Sequence, residues 1–155
     1  MNRRDLIALT PDEQRPYLDE GHTMVLGTNG RRGHPQLTAM WYANDPDGTI
    51  WMTTFAKSQK TKNVERDPHV TLLIESGRTY PELKGMMITA TVEIIRDIER
   101  VLDMLERVNV KYNGLEPSNE LREALRAQAS KRVLLRFTPI KTSSWDHSKL
   151  GAGVY

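Results

Sequence analysis

Hydrophobic and polar positions alternate along the first half of the chain, a pattern that predicts short strands joined by tight turns. His22–Thr28 and Pro35–Ala43 predict two strands, and the glycine-punctuated segment Asn29–Gly33 between them predicts a hairpin loop. Asp45-Pro46-Asp47-Gly48 has proline and glycine where a type I turn favours them. This turn leads into a third predicted strand over Thr49–Phe55.

The spacing of apolar residues changes in the second half of the chain. Val70–Glu75 and Met86–Ile95 predict two further strands, the first dense enough in apolar residues to be buried on both faces. Apolar residues then recur at helical spacing over Ile98–Val108, and a second, shorter helix is predicted after it. Val133–Phe137 predicts the last strand, which we expect to end before Pro139.

Helices flank this strand pattern. Thr10-Pro11-Asp12-Glu13 predicts a helix start, with Thr10 as the N-cap, Pro11 at the first helical position and Glu13 completing a capping box. Six strands in a mostly antiparallel order predict a mainly β fold with flanking helices, closed as a small barrel because closure removes the sheet edges. At 155 residues the chain fits one domain spanning residues 1–155.

Composition excludes several classes of function. The chain has no cysteine, which rules out thiol catalysis and thiolate zinc sites and fits a reducing cytoplasm. Lysine plus arginine exceed aspartate plus glutamate by only 22 to 20, so no nucleic-acid partner is expected and any anion site must be local. No apolar run approaches the roughly 18 residues of a membrane span, and we expect neither a signal peptide nor a membrane partner.

The residues Lys57–Asn63, called the lysine segment below, carry three lysines and two hydroxyl groups between two predicted strands. Short basic connections of this kind bind phosphates or acidic tails, although a solvated surface loop has the same composition. Lys60 and Lys62 point to the same side only if the segment is extended, and they diverge if it is helical. Asn63–Asp67 predicts a helical turn that Pro68 stops.

Metal and hydrolase chemistry find no support in the sequence. The four histidines show no metal-ligand spacing and no HExxH motif, so no metal site is expected. No serine lies in a GxSxG nucleophile elbow. Hydride transfer needs no such constellation because the cofactor carries the difficult chemistry, and no catalytic side chain is assigned.

Three segments, in their order along the chain, resemble a known family. Gly30–Leu37, Ser58–Pro68 and Lys131–Leu135 followed by Trp145 are similar to segments of the split β-barrel flavin and deazaflavin proteins related to pyridoxamine 5'-phosphate oxidase. Within that family the chain most resembles the actinobacterial, B-type branch that uses coenzyme F420. The resemblance runs from about Leu18 to about Lys149.

The resemblance implies a six-stranded split barrel, an FMN-binding-like fold, that forms a homodimer with cofactor sites at the subunit interface. The phosphate-bearing end of the cofactor would lie against the lysine segment, with Lys60 as its main charge partner. Lys57 and Lys62 are weaker candidates, and Ser58 and Asn63 are possible hydrogen-bond donors. The threonines of the second and third strands, Thr38, Thr53 and Thr54, are also implied to contact the cofactor, although the high strand propensity of threonine equally explains their presence.

The resemblance also implies where the rest of the cofactor lies. Six residues on the second and third strands are expected to line its ring: Gln36, Thr38, Ala39, Met40, Thr53 and Thr54. Near the chain's end, Trp145 is expected to cover the ring and Lys149 to face an acidic tail or a substrate, unless this polar terminus is simply mobile. Arg78 and Tyr80 are expected at the mouth of the substrate site.

The implied function is an F420-dependent oxidoreductase that transfers a hydride between the deazaflavin and a small or planar organic substrate. The lysines of the segment favour F420 over FMN, because the oxidase branch commonly carries an arginine-rich phosphate clamp. Two alternatives stay open: an FMN-dependent enzyme similar to pyridoxamine 5'-phosphate oxidase, and a non-catalytic protein that binds a flavin or F420.

Overall fold

Seven strands form one antiparallel sheet in the computed structural model, which describes residues 2–151. The strands are β1 (Met24–Asn29), β2 (Pro35–Met40), β3 (Ala43–Asn44), β4 (Ile50–Phe55), β5 (His69–Ser76), β6 (Lys84–Ile95) and β7 (Arg132–Asp146). The helices are α1 (Arg3–Ile7), α2 (Pro11–Glu20), α3 (Gln59–Arg66), α4 (Ile98–Asn113) and α5 (Asn119–Ala129). The predicted fold class, mainly β with flanking helices, is confirmed.

The sheet runs in the order β2-β1-β5-β6-β7-β4-β3 and curls without closing. It has one strand more than predicted because the expected strand Pro35–Ala43 breaks at Trp41 and Tyr42. The backbone amide of Tyr42 donates to the hydroxyl of Tyr112 on α4 at 3.1 Å instead of to a neighbouring strand. The Tyr42 hydroxyl, fully buried, donates to the carbonyl of Leu18 at 2.5 Å. Because of these bonds, Trp41 and Tyr42 leave the sheet, and β2 and β3 are separate strands at its two opposite edges.

The last strand is much longer than predicted. The expectation that it ends at Phe137 is wrong, because β7 continues to Asp146 and pairs with β6 along its length. Pairing with β4 stops at Phe137, so Pro139 follows where β7 has no register partner on that side. A proline lacks a backbone donor and is tolerated at such an edge. The polar residues Ser143–Asp146 are therefore part of the sheet, not a tail beyond it.

Two apolar clusters stabilise the fold. One fills the inside of the curled sheet and includes Leu26, Met52, Leu72 and Phe137, all fully buried. The other lies between the outside of β4 and β7 and the helices α4 and α5, around Leu102. Alternate residues of β4 therefore face different clusters, which places Thr53 on the side of the helices. Of the helices within residues 2–151, none is long and apolar enough to cross a membrane.

Leu102 provides a test of this packing of α4. Because its side chain is fully buried, Leu102→Ala removes apolar contacts and leaves a cavity, and we expect a loss of about 2–5 kcal/mol in the free energy of unfolding. Ile98 on the same helix is 41% exposed, so Ile98→Ala is the matched control and should cost about 1 kcal/mol or less. Urea unfolding measures both. Equal losses would show that α4 does not pack as described.

Candidate functional site

The lysine segment is helical rather than extended. Helix α3 begins at Gln59, four residues before the predicted helical turn, because Ser58 caps it: the Ser58 hydroxyl accepts from the backbone amide of Thr61 at 3.3 Å. The Thr61 hydroxyl in turn donates to the carbonyl of Phe55 at 2.9 Å. The helix is thereby attached to the end of β4. Ser58 contributes to the site as a helix cap, and its role as a cofactor donor stays a prediction.

Asn63 anchors the other side of the same helix. Its side chain is fully buried, and its Nδ2 donates to the hydroxyl of Thr28 at 3.0 Å and to Oε1 of Gln36 at 2.5 Å. Its Oδ1 accepts from Nε2 of Gln59 at 3.0 Å. These partners belong to β1, β2 and α3, so Asn63 joins the helix to the edge of the sheet. The amide expected to meet the cofactor is thus occupied by contacts within the fold.

The helix separates the two lysines that an extended segment would have kept together. Two residues correspond to about 200° around a helix axis. Lys60 is half-buried and lies beside Arg132, whereas Lys57 and Lys62 are exposed. Burial, and after it the charge of Arg132, lowers the pKa of Lys60. Among the residues that the structure describes, none pairs with the side chains of these three lysines through an ion pair or hydrogen bond.

Arg132 was not among the candidate residues, although it belongs to one of the segments that carry the resemblance. It is the register partner of Phe55, and its guanidinium lies 4.3 Å from the centre of the Phe55 ring. Its Nε is buried without a hydrogen-bond partner in the described part of the chain. Burial also lowers the pKa of this group. Lys60 and Arg132 therefore form a pair of partly buried cations with no anionic partner among the described residues.

A cavity of about 550 Å³ lies where β2 ends, and we call it the β2–α4 cavity. Ala39 and Met40 from β2, Thr53 from β4 and Arg132 from β7 line it, together with apolar and amide side chains of α4 and α5. Three predicted ring residues and one member of the cation pair thus converge on one space. Its volume is in the ordinary range for small-molecule sites.

The other predicted ring residues are not in the lining of this cavity. Gln36 is held by Asn63, as described above, and Thr38 is half-buried on β2. Thr54 is buried, with its hydroxyl 3.5 Å from that of Ser58. Gln36 and Thr54 thus contact Asn63 and the N-cap residue Ser58, and so help to hold helix α3 in place.

The four candidates from the later part of the chain lie elsewhere. Tyr80 packs against His147 with ring centres 4.5 Å apart, and Arg78 precedes it in the same exposed loop. Lys149 donates to the carboxylate of Glu13 at 2.6 Å. In this chain Lys149 thus pairs with a carboxylate of α2, and whether it also faces a ligand stays a prediction.

Trp145 lies near the C-terminal end of β7, far along that strand from Leu134, the register partner of Thr53. Its ring packs over Gly85, where an added Cβ would come within 2.3 Å of it. It lines a second cavity, of about 680 Å³, together with residues of α1. One chain does not bring Trp145 to the ring residues.

The site offers cations, amides and apolar surface, and no metal ligands. Within residues 2–151 no group of three or more histidine, aspartate or glutamate side chains is placed to hold a metal ion. The arrangement suits an organic ligand with an anionic end, which Lys60 and Arg132 would bind, and a body that fits between β2 and α4.

Comparison with solved structures identifies similar folds. The conserved hypothetical protein Rv2991 from Mycobacterium tuberculosis is 37% identical, with a TM-score of 0.90 over 100% of this chain and 96% of that one. An F420 reductase is 24% identical, with a TM-score of 0.66 over 83% and 94% of the two chains. A FAD-binding protein from Mesorhizobium loti is 17% identical, with a TM-score of 0.66 over 88% and 94%.

A search of curated proteins found no match to this chain. The family model described as pyridoxamine 5'-phosphate oxidase matches residues 10–146, which include every strand of the sheet and the whole β2–α4 cavity. This agrees with the resemblance carried by the three sequence segments, and the chain belongs to the pyridoxamine 5'-phosphate oxidase family.

Proposed function

We propose that this protein is an oxidoreductase that uses coenzyme F420 to transfer a hydride to or from a small or planar organic substrate. The observation that carries the proposal is the pair of partly buried cations, Lys60 and Arg132, of which Arg132 lines the same cavity as Ala39, Met40 and Thr53. A cofactor with an anionic end and a planar ring system fits that order of groups.

The cation pair is unfavourable without an anion. Each charge has lost part of its hydration, and the two repel each other, as the lowered pKa of Lys60 reflects. A phosphate between them would relieve both effects, and Arg132 has a buried Nε that no described residue provides with an acceptor. The pair is therefore arranged to gain free energy when a phosphate binds.

The residues beyond the cations would orient the cofactor. Ala39 is small and Thr53 is nearly buried on β4, so a flat ring system has room between them and α4. A bound, reduced F420 would supply the hydride, and the proton that completes the reduction of the acceptor would come from solvent. The protein's part would be to hold the ring beside the acceptor, so no side chain is assigned as acid or base.

Two features favour F420 over FMN. The segment offers lysines, and the exposed Lys57 and Lys62 near the cation pair are placed for the further negative charges of a long acidic tail. The similar F420 reductase has the same fold. An FMN enzyme stays an alternative because of the family to which the chain belongs, and a yellow colour on purification would favour it. A non-catalytic carrier would bind reduced F420 that no acceptor oxidises.

A second copy of this chain is proposed to complete the site. Register places Val25, Leu37, Ala39, Leu73 and Met87 on one sheet face. Leu37 is 70% exposed and Met87 42% exposed there. Apolar surface of this kind is typical of an interface.

This face also connects the two ends of the proposed site. Ala39 lines the β2–α4 cavity, and Met87 lines the cavity that contains Trp145. In a symmetric dimer built on this face, Trp145 of one subunit can approach the cavity of the other. That arrangement accounts for the distance between Trp145 and the ring residues within one chain.

The first test is cofactor binding. F420 and, separately, FMN are titrated into purified protein, and binding is followed by fluorescence. We expect F420 to bind, and we expect Lys60→Ala and Arg132→Gln each to weaken it by about one to two decades, because a charged contact to a phosphate contributes on the order of 1–3 kcal/mol.

Arg15→Ala is the control, since it removes an exposed positive charge on α2, outside the lysine segment and outside the lining of the β2–α4 cavity. Its effect should stay below about threefold, because exposed charges contribute little. Binding of FMN alone would overturn the preference for the deazaflavin. An affinity unchanged by Lys60→Ala would show that the lysine segment is not the anion site.

The second test concerns the proposed dimer. Leu37→Asp places a charge on the exposed sheet face, and we expect it to shift the protein from twice 17.8 kDa to 17.8 kDa in light scattering. Leu115→Asp is the control, because Leu115 is also exposed but lies after α4. A wild-type protein that is already monomeric at micromolar concentration would contradict the dimer.

A further inference from the structure

Lys60 has the surroundings of a nucleophilic lysine. Its side chain is half-buried, and its amine makes no hydrogen bond or ion pair to any residue within 2–151. Burial, and after it the charge of Arg132, lowers the pKa of this amine. At a given pH a larger fraction of Lys60 is therefore neutral than of an exposed lysine, and the neutral amine is the nucleophilic form.

Arg132 offers a binding group for an anion next to this amine. Its Nε is buried and has no acceptor among the described residues. Its guanidinium carbon lies 4.3 Å from the centre of the Phe55 ring, and Phe55 is 52% exposed. The guanidinium therefore has a donor available to a ligand, and the exposed ring beside it offers apolar contact to an aromatic group.

Lys111 shows that a lowered pKa alone does not make such a site. Burial lowers the pKa of Lys111 as well. However, its amine donates to the carbonyl of Tyr42 at 3.4 Å and lies 4.0 Å from the centre of the Tyr42 ring. The neighbouring Arg107 is paired with Asp45 at 2.6 Å. Lys111 and Arg107 thus have partners within the fold, which the described residues do not provide for the amine of Lys60.

We propose that Lys60 forms a reversible imine with an aldehyde that carries a carboxylate or phosphate group, and that Arg132 binds this anionic group. The Lys60 nitrogen attacks the aldehyde carbon, a C–N bond forms, and the carbonyl oxygen leaves as water with the two hydrogens of the neutral amine. The step needs no oxidant or reductant. The exposed ring of Phe55 favours an aromatic aldehyde over an aliphatic one.

This reaction goes beyond the proposed function and competes with it. The adduct occupies the nitrogen of Lys60 and the guanidinium of Arg132, which are the groups proposed to bind the cofactor's phosphate. The adduct and the cofactor therefore exclude each other. Protein that carries the adduct should bind F420 more weakly than unmodified protein does.

The test uses 4-formylbenzoate, an anionic aromatic aldehyde, and its methyl ester, which has the same reactive group and no charge. Each is incubated with the purified protein without cofactor, cyanoborohydride reduces any imine to a stable amine, and mass spectrometry maps the modified lysines. We expect the anionic aldehyde to label Lys60 about tenfold faster than the ester does, the order expected for one charged contact. Lys57 and Lys62, exposed in the same segment, should be labelled slowly and equally by both.

Arg132→Gln then assigns this preference to the guanidinium. The ratio between the two labelling rates at Lys60 should fall from about ten to about one. A ratio is compared because loss of the Arg132 charge also changes the pKa of Lys60, which affects both reagents equally. Arg136→Gln is the matched control, since Arg136 is exposed on the same side of β7, and it should leave the ratio near ten. Circular dichroism checks that both variants are folded.

The outcomes separate this reaction from the proposed function. If F420 does not bind but Lys60 is labelled with the expected ratio, the proposed function fails and the imine site stands. If F420 binds but the anionic aldehyde labels Lys60 no faster than its ester, or no faster than it labels Lys62, the imine site is overturned. Where both proposals hold, saturating F420 protects Lys60 from labelling.

Discussion

The buried amide of Asn63 is the constraint on which the candidate site depends. Its Nδ2 donates to both Thr28 and Gln36, and a helix rotated about its axis would leave the buried Asn63 amide unpaired. The rotation of α3 is therefore determined. Lys60 lies three residues earlier and so on nearly the same side of the helix, which brings it beside Arg132, whereas Lys62 turns to solvent. One hydrogen-bonded amide thus selects which lysine of the segment lies beside Arg132.

Local patterns in the sequence were sufficient for most of the fold. Alternation and turn residues predicted β1, β4 and the start of β6 to within about two residues, and helical spacing predicted α4. The density of apolar residues in β5 predicted a strand buried on both faces, and this was wrong. Val70, Leu72 and Ile74 are buried, but Leu73 is only half-buried on the uncovered sheet face. An apolar residue needed for that face cannot be distinguished, in one sequence, from one needed for the core.

Groups brought together by strand register escaped prediction. Arg132 reaches the site because β7 pairs antiparallel with β4, which puts it opposite Phe55, and nothing local in the sequence encodes that pairing. The length of β7 was not predicted for the same reason. A proline ends a strand only where a neighbouring strand needs its backbone donor, and Pro139 has no neighbour on the β4 side. For the lysine segment, the helix and the extended form were both compatible with the composition, and the Ser58 cap and the Asn63 contacts decided between them.

The open edge of the sheet makes the site possible. An unpaired edge is ordinarily a risk for aggregation, and a barrel removes it by closing. Here the Tyr42–Tyr112 contact diverts the chain after Met40, so β2 and β4 both border one cavity without hydrogen-bonding to each other. The same Tyr112 ring also supports Trp41. A single helix side chain therefore contacts both the break between β2 and β3 and the Trp41 ring beside it.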